Sequence, residues 1–237
     1  MIYRLIKFLF ALAIILNVPA SANLPGTIPF VSDTAVACST PDVVTQTTSS
    51  AVSTATPSVS LPASIVSGNL LLIFVQSDGN VTWTTPSGWT TILGTASRVA
   101  GYYRVANGSE GSSVTVTQSG ANPSAHASVQ VNCYAASSFI EAGTLVTSSV
   151  DPPSITPSWA PTNTLIVTMA SQYSATADFS AGPSGYSNFQ HTYNGFSSAM
   201  ASATKQIIPG ATENPGAFTP GTACGNCRTQ TIAIKGP

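Results

Sequence analysis

The chain has 237 residues, enough for one large or two small domains, and only 6% of it is charged, against roughly 25% in ordinary domains. Its 7 basic and 8 acidic residues form no basic patch for phosphate backbones, which argues against nucleic-acid binding. An apolar share of 43% argues against a disordered tract, and 63 serines and threonines suit pleated, half-buried strands.

In chain order, the first segment is "MIYRLIKFLFALAIILNVPASA". Arg4 and Lys7 precede an apolar run from Phe8 to Leu16, followed by Pro19 and Ala20-Ser21-Ala22. This is the layout of a secretory signal peptide over residues 1–22. The alternative, an uncleaved anchor, meets a run well short of the ~20 apolar residues that span a bilayer. Cleavage after Ala22 leaves 5 basic residues against 8 acidic ones, a formal charge of −3. The expected product is secreted, extracellular or at the cell surface, with the periplasm as a further destination and no transmembrane segment left. Residues 23–56 form a Ser/Thr-rich lead. Its stretch "IPFVSDTAVA" (28–37) reads as a tail that is disordered or docks on its own sheet, with donation of a strand to a neighbour as the alternative. In an oxidising compartment Cys38, Cys133, Cys224 and Cys227 pair by default. Three connectivities are open, one of which closes "CGNC" on itself and leaves Cys38 with Cys133. A redox site would need a βαβ setting, and a zinc site a second ligand pair.

Strand patterns fill residues 57–237. "NLLLIFVQS" (69–77) is a continuous apolar run, read as a central strand covered on both faces. "RVAGYYRV" (98–105) is a further strand, and "SSVTVTQS" (112–119) alternates, with Val114 and Val116 on one side. In "AHASVQVNCYA" (125–135), Ala127, Val129, Val131 and Cys133 share one face and Gln130, Asn132 and Tyr134 the other. "NTLIVTMAS" (163–171) and "QTIAIKG" (230–236), with Ile232 and Ile234 facing in, complete the set. Gly/Pro/Asn turns separate these short strands, which predicts an all-β, jelly-roll-like antiparallel sandwich.

Several landmarks recur in order about 97 residues apart, which predicts an internal duplication with halves 57–145 and 146–237. Pro57–Ser60 answers Pro153–Thr156, "GNLLLIF" (68–74) answers "TNTLIVT" (162–168), and "PSGW" answers "PSGY". Gly108 aligns with Gly210 and Gln130 with Gln230. The alignment makes "MASATKQII" (200–208) a strand, although 197–208 is the one stretch of the mature chain with helical potential. Pro86, Gly88 and Trp89, like Pro183, Gly185 and Tyr186, read as a turn followed by an aromatic core anchor. In Thr85–Gly88 the proline position matches a type I turn. A sugar-binding platform is the competing reading of the two aromatics.

The order "GNLLLIFV … TPSGWTTI … YYRVANGSEGSSVTVT … VQVNCY", with a second half ending "QTIAIKGP", resembles the β-sandwich modules of phage tail and virion proteins and of exported bacterial surface proteins. The resemblance covers roughly residues 50–237. It implies a structural unit made of two related halves.

Catalytic signals are weak. The acids Asp33, Asp42, Asp78, Glu110, Glu141, Asp151, Asp178 and Glu213 form no motif, and His126 and His191 have no metal spacing. There is no GxSxG elbow. Asp78, Asn80, Asp151 and Asp178 could supply oxygen ligands to calcium, but turn roles are the stronger reading, so no metal and no cofactor is expected. Asn80-Val81-Thr82 and Asn107-Gly108-Ser109 match glycosylation sequons. Trp83, Trp159, Tyr173 and Tyr193 are candidate ligand-contact aromatics. The expectation is a non-enzymatic structural or adhesion-type surface protein, an appendage or virion-associated subunit. Its partners would be a surface glycan, a protein or further copies of itself. A carbohydrate-binding module or lectin is the alternative, and a secreted hydrolase comes third.

Overall fold

The computed structural model describes residues 38–237 except 95–96, 160, 174–177, 208–210 and 225. The signal peptide, "IPFVSDTAVA" and the Gly108–Gly210 alignment fall wholly or partly outside the described residues. The described chain contains strands and no helix. The lead contributes β1 (Asp42–Thr54), and the first half contributes β2 (Ser58–Ser60), β3 (Leu70–Ser77), β4 (Trp83–Thr84), β5 (Thr90–Leu93), β6 (Val99–Val105), β7 (Ser113–Thr115), β8 (Thr117–Gln118) and β9 (Asn122–Asn132). β10 (Ile140–Ala142) closes the first half, and the second contributes β11 (Val146–Thr147), β12 (Thr164–Tyr173), β13 (Phe179–Ala181), β14 (Ser187–Tyr193), β15 (Ser198–Ile207), β16 (Thr219–Pro220) and β17 (Arg228–Lys235).

Two antiparallel sheets dominate. Their orders are β1-β9-β3-β6-β5 and β10-β17-β12-β15-β14, with β11 also pairing β17. They pack face to face. Leu70, Leu72 and Phe74 of β3 and Ala125, Ala127, Val129 and Val131 of β9 meet Leu165, Val167 and Met169 of β12, Met200 of β15, and Ile232 and Ile234 of β17. Each sheet is also covered on its outer face. In the first half, Leu71, Ile73 and Val75 pack under Val59 of β2, Trp83 of β4 and Val116. In the second, Ala199, Ala201 and Ala203 of β15 leave room for Phe179 and Phe218, whose rings meet edge to face at 5.8 Å. The result is four layers, which is why every residue of β3 is buried and its sequence does not alternate.

The two halves share a strand order, β9-β3-β6-β5 in one and β17-β12-β15-β14 in the other. Their outer layers also correspond. Ribbons β2–β7 and β4–β8 in the first half match the Ile155–Glu213 bridge and ribbon β13–β16 in the second. Within each half the chain passes between main sheet and outer layer in the manner of a jelly roll. The segment 198–207 is a strand throughout and pairs with β12 and β14.

The register departs from the sequence alignment in two places. Leu70 and Leu165 both face the central core, so β3 and β12 correspond at an offset of 95 rather than 94. A one-residue slip turns every side chain to the wrong face. Gln130 lies outside the face that holds Val129 and Val131, whereas Gln230 shares the parity of Ile232 and Ile234, so the two glutamines are not equivalent. Tyr134 also differs from expectation. Cys133 has φ of +56°, which turns the chain where β9 ends and returns Tyr134 to the central core, 4.8 Å from Phe139.

Candidate functional site

The repeated phrase builds two similar fasteners. The Trp89 amide donates to Pro86 O and the Tyr186 amide to Pro183 O, each at 3.1 Å. Gly88 and Gly185 have φ of +77° and +78°. The turn thus runs Pro86–Trp89, one residue later than predicted, and a left-handed glycine in its third position makes it type II rather than type I. Trp89 is buried and Tyr186 half-buried against the outer cores. Arg104 of β6 lies over the Trp89 ring at 5.8 Å and pairs with Glu110 at 3.3 Å. Lys205 of β15 lies over the Tyr186 ring at 5.7 Å and pairs with Glu213 at 2.9 Å. Burial pushes the Glu110 carboxyl up. The amides of Asn107, Glu110 itself and Gly108, together with Arg104, outweigh that and hold it below the usual carboxylate range. Burial and then Glu213 push the Tyr186 hydroxyl pKa up, which keeps it a donor to that carboxylate.

Three further carboxylates are held by hydrogen bonds. Glu141 binds the amide and hydroxyl of Ser158, Asp78 accepts from Ser197 Oγ at 2.5 Å, and Asp178 accepts from the Phe179 amide and His191 Nδ1, both at 2.8 Å. Among the described residues, no three His, Cys, Asp or Glu side chains are placed to share a metal ion.

The candidate aromatics do not form one platform. Trp83 is 2% exposed, with its indole N–H donating to Ser97 O at 3.0 Å. It plugs the core and offers no face to a ligand, because the pairing of β4 with β8 turns its ring inward. Trp159 is half-buried against Ile155 and Ile166 and donates to Thr164 Oγ1. Tyr193 packs against the alanine face of β15. Tyr173, at the end of β12, lies beneath the guanidinium of Arg98 at 4.5 Å.

A feature missed in the sequence is β1. Its residues 42–54 fall in the Ser/Thr-rich lead, yet they form a 13-residue strand paired with β9 from Asp42↔Asn132 to Thr54↔Asn122. Cys38 bonds to Cys133 just beyond the first pair and clamps the strand's entry. Gln46 Nε2 reaches Asn188 O of β14 at 2.9 Å, and Ser49 Oγ accepts from the Ser60 amide. The richness of β1 in Val and Thr was the available signal.

β1 is the end strand of its sheet. The other end strands are guarded in familiar ways. β5 has 4 residues and β10 has 3, while β14 carries His191 paired to Asp178. β1 has no lysine, no proline and one charge, Asp42 at its start. Val44 and Val52 are 43% and 61% exposed. Register shifts lie near its two ends, so Thr45–Ala51 is an uninterrupted ladder.

No family model, curated protein or solved structure matches this chain. Cys224 and Cys227 form the second disulfide, and two disulfides indicate an oxidising, non-cytoplasmic compartment. No helix among the described residues is long and apolar enough to cross a membrane.

Proposed function

We propose that this chain is an exported, non-catalytic structural or adhesion-type surface protein, of the appendage-subunit or virion-associated kind, and that β1 meets a second copy of itself. The observation that carries the reading is the edge of β1, uncharged and uninterrupted from Thr45 to Ala51, beside end strands that are short or carry a side chain held by a carboxylate. Backbone pairing at such an edge supplies affinity, and the alternate side chains supply selectivity. The use of Glu110 and Glu213 as fasteners supports a non-catalytic role. The shared strand order of the halves supports descent from a duplicated unit.

Sedimentation velocity of residues 23–237 over a wide concentration range tests this. The natural chain should self-associate. A V44K/V52K variant, which places two charges on the edge and leaves the core untouched, should remain monomeric with an unchanged Tm. A natural chain that stays monomeric throughout, or a variant that associates equally well, would overturn the assembly role.

A further inference from the structure

Five cations lie beyond residue 37: Arg98, Arg104, Lys205, Arg228 and Lys235. Arg104 and Lys205 have carboxylate partners. Arg98, at the entry to β6, and Arg228, at the start of β17, come from opposite halves and have no acid partner among the described residues. Residues 95–96, 160, 174–177, 208–210 and 225 contain no Asp or Glu. Arg98 Nη1 and Arg228 Nε are buried and make no hydrogen bond. Two charged donors without acceptors are a costly arrangement, since buried N–H groups in folded proteins are almost always paired. Burial and then the nearby Arg98 lower the Arg228 pKa, so the two like charges feel each other.

The Tyr173 ring supports Arg98 from below. Arg228 adjoins the Cys224–Cys227 disulfide and donates from Nη1 to Cys227 O at 3.4 Å. Beside Arg228 lies a hollow of about 430 Å³ lined by Asn80, Val81, Thr82, Ser97, Ser119 and Arg228, with Arg98 next in the chain to Ser97 and outside the lining. This lining contains hydroxyls, an amide and a guanidinium, and no carboxylate.

We propose that this hollow, between Ser97 and the start of β17, binds the oxyanion group of a ligand through Arg228, with Arg98 as a second positive charge close to Arg228 and the Ser and Thr hydroxyls beside it. A guanidinium fork matches the two oxygens of a carboxylate and the tetrahedral oxygens of a sulfate or phosphate ester alike. Such an anion would give the Arg228 guanidinium an acceptor and offset the like charge of Arg98. The site does not depend on self-assembly through β1.

The test uses the mature chain, residues 23–237, with sodium sulfate, inorganic phosphate and sodium glucuronate as probes, against sodium chloride at matched ionic strength. Calorimetric titration and Tm are the readouts. At least one probe should bind saturably and raise Tm above the chloride control. Response to glucuronate alone identifies a planar carboxylate ligand, and response to sulfate or phosphate a tetrahedral one. R228Q and R98Q should each weaken binding at least tenfold, while R228K should retain part of it. Without added anion, R228Q should be no less stable than the natural chain, because it relieves like-charge repulsion. If all three probes behave as chloride does, or if R228Q and R98Q bind as tightly as the natural chain, the proposal is overturned. A marked loss of Tm in R228Q with no anion response in the natural chain would instead make the pair part of the frame.

Discussion

His126 shows how one buried side chain can govern the molecule's response to pH. It is fully buried on β9, with Ser49 Oγ 3.1 Å from Nδ1 and Ser124 Oγ 2.9 Å from Nε2. Two hydroxyls suit a neutral ring, one accepting its N–H and the other donating to its free nitrogen. Burial holds its pKa down at about 3, below the 6.5 of an exposed histidine. Between those values the unfolded chain binds the extra proton and the folded chain does not. The stabilising contribution is therefore complete above pH 6.5 and is lost as pH falls toward 3, at about 1.4 kcal/mol per unit. The lowered Glu110 carboxyl is felt only as pH falls through the usual carboxylate range, outside the interval from pH 7 to 5, and comparison with His126→Gln assigns the slope in that interval to this histidine. Urea unfolding should show a loss of about 2 kcal/mol over that interval. His126→Gln, whatever its own stability, should flatten the dependence. Equal slopes for the two proteins would refute the account.

At the scale of elements, strands buried on both faces were the most legible in the sequence. The unbroken apolar run of β3 requires cover on two sides, and it has it. β15 was readable as a strand despite a helical composition. Its alanines at 199, 201 and 203 share a period of two, which fits a pleated surface under large aromatic rings. What escaped depended on contacts far apart in the chain. Trp83 lies among turn residues, and its fate is set by pairing with Gln118. Arg98 and Arg228 carry no local signal of their proximity. β1 was hidden because its side chains are polar on both faces, as they are where an edge strand meets solvent. The attachment of β1 can be tested directly. The Cys38–Cys133 bond spans 95 residues, for which loop-closure entropy gives about 4–5 kcal/mol. A C38S/C133S variant should lower the urea midpoint accordingly. In hydrogen exchange, β1 amides should lose protection first while β3 and β12 keep theirs. Unchanged protection in β1 would mean that the β9 ladder alone holds the strand.

At the scale of the whole molecule, the question is whether two similar halves make two domains or one. Each half has its own outer core, around Trp83 and Tyr102 in the first and around Phe179 and Phe218 in the second. Each also presents a second apolar face that only the other half covers. Leu70, Leu72, Phe74, Val129 and Val131 of the first pack on Leu165, Val167, Met169, Ile232 and Ile234 of the second, and all ten are at most 1% exposed. Exposing a side chain of this kind costs roughly 1.5–3 kcal/mol, so exposing all ten costs about 15–30 kcal/mol, at or above the roughly 5–15 kcal/mol that stabilises a typical domain. Polar contacts cross the same boundary, with Gln190 Nε2 on Ser128 O and Gln206 Nε2 on Pro41 O. The halves should thus unfold together. Calorimetry of residues 38–237 should show a single transition whose calorimetric and van't Hoff enthalpies agree. Residues 38–145 and 146–237 made separately should each self-associate or bind a hydrophobic dye, and mixing them should restore a one-to-one complex with native dispersion in its NMR spectrum. Two resolved transitions in the intact chain, or a monomeric half with a cooperative melt of its own, would show that the central core joins two independent domains rather than creating one.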